Sequence, residues 1–214
     1  MIGELVPATV AAVATRVDLD AELFEEEERS LGRPVDERRR EFTTGRACAR
    51  RALARLGLPA ASIPSGAGAQ PLWPAGVVGS ITHCRRYRAC AVARALDVRC
   101  VGIDAEVHAP LPALVLEAIA SPGERRALAA LGTGACWDRL LFSAKEAVYK
   151  AWFPLTGRPL GFADVDVRID ARAGTFDARL LVGGPVLDGD VLTGFRGRWG
   201  ASGPIVATAV VLTR

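Results

Sequence analysis

The sequence predicts an α+β fold, on three observations. The segment Val35 to Leu56 contains no proline and is rich in arginine, which suits a long helix. Three runs of strand character follow it: Val77 to Cys84, Tyr87 to Ala95 and Val98 to Val107. A second long helix begins near Trp137 and is also followed by strand candidates. The two halves share no alignable repeat, but their order of elements is similar.

Taken in order, residues 1–20 are rich in Ala and Val and give no clear period. Glu25 to Glu28, followed by Arg29, reads as a solvated helix face or loop. Gly57 and Pro59 end the first long helix. Within it Arg46 and Arg50 share a face, as do Arg51 and Arg55; Arg50, Arg51 and Arg55 read as solubilising residues. Gly66-Ala67-Gly68-Ala69-Gln70-Pro71 is a loop by its Gly and Pro content. The strands Tyr87 to Ala95 and Val98 to Val107 are adjacent, joined at Leu96-Asp97. His108-Ala109-Pro110-Leu111-Pro112 marks a junction between halves, dividing the chain into residues 1–108 and 109–214. Leu114 to Ala120 and Pro122 to Leu131 read as helices. Ser121 and Glu124 form a capping box for the second of these, with Pro122 at its first position. Four strand candidates close the chain: Asp164 to Ile169, Thr175 to Val182, Val191 to Trp199 and Ile205 to Leu212.

Composition excludes several classes. The chain has 214 residues, half of them hydrophobic, so it can bury a substantial core as one large domain or two small ones. A net charge of +3 is too mild to argue for nucleic acid. Five cysteines, an odd number with no Cys-x-x-Cys pair, fit neither a disulfide framework nor a zinc site and suit a reducing cytoplasm. The apolar run Ile205 to Leu212 is too short to span a bilayer. The apolar patch Val10 to Ala14 lacks the basic start of a signal peptide.

The chemistry gathers around Phe142-Ser143-Ala144-Lys145-Glu146-Ala147-Val148-Tyr149-Lys150-Ala151-Trp152. Leu140, Leu141, Ala144, Val148 and Trp152 form its apolar stripe. Glu146 and Lys150 stand one turn apart on one face, while Lys145 points about 100° away. Upstream, Asp104 and Glu106 are two apart on a strand and face one side. Three carboxylates with lysines beside them suit a hard cation and a phosphate.

Gly102-Ile103-Asp104-Ala105-Glu106, followed by Phe142-Ser143-Ala144-Lys145-Glu146-Ala147-Val148-Tyr149-Lys150, resembles the signature of the phosphopantetheinyl transferase family. Phe142 stands where many members have Trp. Ser80-Ile81-Thr82-His83 resembles the family's Ser-x-Ser-His element, with Thr82 keeping the hydroxyl and a basic Arg85-Arg86 pair just after it. Phe42-Thr43-Thr44-Gly45-Arg46 resembles its Phe-x-x-x-Arg context. The basic residue that many members carry in the loop at Gly66 to Gln70 is missing here.

The resemblance implies the long, monomeric type: two similar α+β halves related by a pseudo-twofold, with coenzyme A in the cleft between them. It implies transfer of phosphopantetheine from coenzyme A to a serine of an apo acyl or peptidyl carrier protein, leaving adenosine 3′,5′-bisphosphate. Asp104, Glu106 and Glu146 are then the Mg²⁺ ligands. Glu146 or a water it polarises is the base, and Lys150 holds the transferring phosphate. Arg46, Thr82, His83, Lys145 and Asp104 complete the coenzyme A site. Arg125, Arg126 and Arg139 are candidates to meet the carrier's acidic surface. Two other readings use the same residues: a different Mg²⁺-dependent phosphotransferase or phosphodiesterase, and a non-enzymatic module binding nucleic acid or acidic protein.

Overall fold

A computed structural model describes residues 1–214. The elements run α1 (Ile2–Leu5), β1 (Val10–Thr15), α2 (Glu25–Leu31), α3 (Asp36–Arg55), β2 (Val77–Cys84), β3 (Tyr87–Arg94) and β4 (Val98–Val107). They continue α4 (Ala113–Ile119), α5 (Pro122–Ala130), α6 (Trp137–Thr156), β5 (Val165–Asp170), β6 (Thr175–Leu180), β7 (Val186–Leu187), β8 (Asp190–Val191), β9 (Gly194–Ser202) and β10 (Ile205–Thr213). The predicted α+β class is observed, with a 20-residue helix packed on an antiparallel sheet twice, as α3 and as α6. No helix is long and apolar enough to cross a membrane.

The first sheet has the order β1-β3-β2 and the second β4-β10-β9-β6-β5. Alternation along the strands assigns each face. Cys90 and Val92 meet Cys48, Ala49, Ala52 and Leu53 of α3. Ala89, Ala91 and Ala93 meet Val101, Ile103, Ala105 and Ala207 of the second sheet. The far face of that sheet is covered by α6, whose Leu141, Ala144, Val148 and Trp152 pack on Cys100, Val167, Phe176 and Val210. The apolar stripe of α6 is therefore the one read from its spacing.

Several expectations are revised. Residues 1–20, without a readable period, contain a short helix and the strand β1, which pairs with β3 along its whole length. The acidic run at Glu25 to Glu28 is α2, and Glu27 is fully buried in it. Its carboxylate accepts from the N–H of Phe24 and of Ile63, both at 2.9 Å, and from Arg50 Nη1. Arg50 is thus a buried charge's partner rather than a solubilising residue, and Arg55 Nη1 donates to Ala12 O. The single strand expected at Val191 to Trp199 is split at Leu192-Thr193 between β8 and β9. The strand β4 forms no hairpin with β3; it crosses over and pairs with β10 along nine residues.

That crossover places the edge strand of one sheet beside the edge strand of the other. The N–H of Ile103 donates to Ser80 Oγ at 3.1 Å, and the N–H of Ala105 donates to Thr82 Oγ1 at 3.0 Å. Two side-chain hydroxyls on β2 do the work of a backbone ladder, and every one of these groups is buried. Over β4, α6 approaches so closely that a Cβ on Gly102 would collide with the carbonyl oxygen of Ala147 and lie 2.8 Å from the N–H nitrogen of Ala151.

Gly102→Ala is expected to lower stability by at least about 3 kcal/mol, because rigid backbone rather than a side chain must yield. Gly183→Ala, where an added Cβ meets nothing, is the control, and thermal unfolding of the pair measures the difference. Thr82→Val orphans the Ala105 N–H and should cost about 1–3 kcal/mol, whereas Thr82→Ser should recover most of it. Equal stability of the Val and Ser variants in urea titrations would show that the hydroxyl is not holding the seam.

Candidate active site

The seam between the sheets carries the charged residues. Asp104 lies on the α6 side of β4 and is only 4% exposed. Its Oδ1 accepts from Lys150 Nζ at 2.7 Å and from Thr82 Oγ1 at 3.2 Å, while Oδ2 is buried and has no partner within the protein. A carboxylate oxygen left bare in this way is costly unless something else bonds to it. Two residues on, Glu106 Oε2 accepts from Arg139 Nη1 at 3.1 Å. Burial raises the Glu106 pKa above the ordinary carboxylate range, helped by Asp104 and opposed by Arg139. Burial likewise raises that of Glu146; Lys150 opposes and Asp104 adds. The Glu146 side chain makes no hydrogen bond within the protein. Ser143, between them on α6, is tied to Thr208 of β10 by hydroxyl and carbonyl bonds of 2.9 Å, which fixes the helix against the sheet.

Glu146 and Lys150 share one face, as their spacing requires, and that face forms a wall of a cleft. Tyr149, Phe153 and Pro154 of α6 continue the wall; Ser80 and Ile81 of β2 and the loop Gly68 to Pro71 complete it. The Gly-rich loop, the hydroxyl strand and the charged helix face, all singled out in the sequence, therefore meet. Nothing local in the residues marks Tyr149, Phe153 or Trp73 as lining the same space.

At the edge of this region His83 stands between Arg38 and Glu41. Arg38 Nη1 donates to His83 Nε2 at 3.0 Å, and His83 Nδ1 lies 3.4 Å from Glu41 Oε1. With Nε2 accepting, Nδ1 carries the proton. Burial lowers the His83 pKa, against the pull of Glu41. Arg38 was not singled out by sequence; it lies eight residues before Arg46, which puts both toward one side of α3.

Three residues expected at the coenzyme A site are engaged within the protein. Lys145 is buried about 100° round α6 from Glu146, and both line a second hollow with Tyr149 and Phe162. Its Nζ donates to Ile119 O and Phe162 O, both at 2.8 Å, and to the Glu124 carboxylate at 2.9–3.0 Å. An ammonium has three donors, and here all three are used internally. Glu124 does more than cap: beyond the Ser121 N–H it accepts from the Val167 N–H at 2.9 Å, so one carboxylate joins α5, α6 and β5. Arg46 is turned inward over the Phe42 ring, with Nε on Ile63 O at 2.8 Å and Nη2 on Ser65 Oγ at 3.1 Å. Burial lowers its pKa to about 10. It holds the segment leading into the Gly66 to Pro71 loop, and its Nη1 has no protein partner. Thr82 is 2% exposed and spends its hydroxyl on the seam and on Asp104. Arg139, expected to meet a carrier, is committed to Glu106 and to the carbonyls of Ala109 and Pro110. Arg125 and Arg126 form no ion pair.

No three carboxylate, imidazole or thiol groups converge closely enough to surround a metal ion. Two cations, Lys150 and Arg139, lie against the carboxylates instead. The donor set is nonetheless all oxygen, as a hard divalent cation requires, and the bare Asp104 Oδ2 and the unpartnered Glu146 carboxylate are available to it.

Comparison with known proteins bears on this arrangement. Residues 26–93 match the 4′-phosphopantetheinyl transferase N-terminal domain, and residues 100–183 match the 4′-phosphopantetheinyl transferase superfamily. The chain is 52% identical over 193 residues to the 4′-phosphopantetheinyl transferase Svp of Streptomyces mobaraensis, covering 89% of this chain and 78% of that protein. It is 45% identical to the 4′-phosphopantetheinyl transferase PptT of Mycobacterium tuberculosis, covering 99% of this chain and 98% of that protein. Enterobactin synthase component D of Salmonella typhimurium is 35% identical over 150 residues, which are 64% of this chain and 60% of that one. With its cleft built from both matched regions and full-length relatives of one kind, this chain belongs to the 4′-phosphopantetheinyl transferase superfamily.

Proposed function

We propose that the chain transfers the phosphopantetheine arm of coenzyme A to a serine of an apo carrier protein, using the cleft between α6, β2 and the Gly66 to Pro71 loop. The observation that carries this reading is the buried Asp104, ion-paired to Lys150 and bare at Oδ2, beside the free carboxylate of Glu146. Two family regions in order and near full-length relatives favour it over another phosphotransferase or a binding module.

In this reading the serine oxygen forms a bond to the β-phosphorus of coenzyme A. The bond to the bridging oxygen breaks, and adenosine 3′,5′-bisphosphate leaves with that electron pair. A hydroxyl is a weak nucleophile until its proton is taken. Glu146, its pKa raised by burial, receives that proton directly or through a water. Lys150 binds the transferring phosphoryl group as the negative charge shifts. Arg38, oriented by His83, and the unpartnered Nη1 of Arg46 present donors for the nucleotide phosphates. Asp104, Glu106 and Glu146 would hold Mg²⁺, which supplies charge neutralisation of the pyrophosphate. Lys145 keeps α6 in place without touching substrate.

The chain supplies all sides of the cleft itself and acts as a monomer of two α+β halves related by a pseudo-twofold, divided by sequence at 1–108 and 109–214 although β4 (Val98–Val107) joins the sheet of the second half. Its five cysteines form no disulfide, which fits a cytoplasmic enzyme.

The test is the intact mass of an apo fatty-acid, polyketide or peptidyl carrier incubated with the protein, coenzyme A and Mg²⁺. One of them is expected to gain a single phosphopantetheine. The gain should disappear with EDTA and fall at least about a hundredfold in rate with Glu146→Gln. Absence of transfer to all three, in a sample that also fails to bind coenzyme A calorimetrically, would defeat the reading. Lys150→Met and Lys145→Met separate the two lysines. The first should abolish transfer; because it also leaves the buried Asp104 without its cation, it is assayed well below its own melting temperature. The second leaves Glu124 buried without its cation and should cost about 3 kcal/mol of stability.

A further inference from the structure

One cluster of charge is used neither by the fold nor by the cleft. Arg16, Arg85 and Arg86 line a concavity of about 710 Å³ together with Val17, Val107 and Pro204. No carboxylate lines it, and none of the three arginines forms an ion pair or a hydrogen bond. Most other arginines near this end are paired: Arg88 with Asp18 and Glu41, and Arg40 with Asp18.

The backbone gives a second, independent sign. Arg85 and Arg86 are the two-residue turn joining β2 to β3, and Arg86 has φ 58°. Glycine or asparagine normally occupies such a position, and a side chain there costs roughly 1 kcal/mol. Strain of this kind persists where the residue has a use. The position in the fold is equally specific. Val107 immediately follows Glu106 on β4, and the hairpin tip follows His83 on β2. The concavity therefore opens at the end of the seam that carries the candidate active site. Val107 projects from the face of β4 opposite to Glu106, so a small molecule filling the cleft does not also fill this space. A macromolecule presenting a group to the cleft would cover both.

We infer that the Arg16, Arg85 and Arg86 surface docks the apo carrier protein through an acidic surface next to its acceptor serine. This deepens the proposed transferase reading and rests on it. Exposed arginines facing carboxylates across a rim act mainly on encounter rate and register. The contribution belongs in the carrier KM and in its salt dependence, and not in turnover at saturation.

The experiment follows holo-carrier formation by mass for the wild-type chain and two variants. Arg85→Glu with Arg86→Glu reverses the charge. Arg85→Ser with Arg86→Gly removes it while relaxing the strained turn, so loss of function there is not loss of fold. The expected result is a carrier KM raised about tenfold or more by reversal and severalfold by neutralisation. The KM for coenzyme A and the rate at saturating carrier should stay within twofold, and the fall of kcat/KM with salt should flatten. Exchanging acidic residues on that carrier surface for arginine should restore part of the loss in the reversed variant. An unchanged carrier KM, or a loss seen instead with Arg125→Glu and Arg126→Glu, would overturn the assignment. A parallel rise in the coenzyme A KM would assign the patch to a nucleotide phosphate and also overturn it. Those outcomes leave the transferase reading standing. Failure of the wild-type chain to modify any carrier removes that reading and this one with it.

Discussion

Two hydroxyl groups hold the edges of two sheets together, and the active-site region exists because they do. A buried strand edge exposes N–H groups that must find acceptors. Ordinary pairing would merge the two sheets into one continuous ladder. Ser80 and Thr82 supply the acceptors from side chains instead. The strands β2 and β4 thus stand side by side without sharing a ladder, and Thr82 has a proton left to give to Asp104. The same hydroxyl satisfies the seam and orients a carboxylate. Gly102 acts from the other side. Lacking a Cβ, it lets α6 settle onto β4, where Lys150 bonds to Asp104.

The electrostatics of the region follow from this crowding. Asp104, Glu106 and Glu146 sit near one another with limited access to water, and burial raises the pKa of both glutamates, with Asp104 adding to each. Lys150 and Arg139 offset part of that cost from opposite ends. Arg139 also ties the segment His108 to Pro112 to β4 by binding the carbonyls of Ala109 and Pro110 as well as Glu106. That segment is therefore mechanically coupled to Glu106, although it lies outside the cleft wall.

Much of this was legible in the residues. The strands Val77–Cys84 and Val98–Val107 begin and end where β-branched runs meet turn residues, and the Ser121 capping box is formed as its spacing requires. The shared face of Glu146 and Lys150 is a matter of helical period alone. What could not be read were relations set by distant contacts. Nothing local distinguishes Glu27, buried under Arg50 and the Ile63 N–H, from its exposed neighbours Glu25 and Glu26. Nor does anything local tell β4 to leave its sequence neighbour β3 and pair with β10. The inward turn of Arg46 depends on a loop seventeen residues away.

Lys145 and Glu146 are adjacent letters of one signature, and they answer to different demands. Glu146 faces the cleft and has no bond within the protein, so its loss leaves the packing almost untouched. Lys145 anchors Ile119, Glu124 and Phe162 with all three of its donors. A descendant of this chain that abandoned catalysis for some other use would be free to discard Glu146 but not Lys145. The motif would then decay one letter at a time, and half of it would outlive the chemistry for which it is recognised.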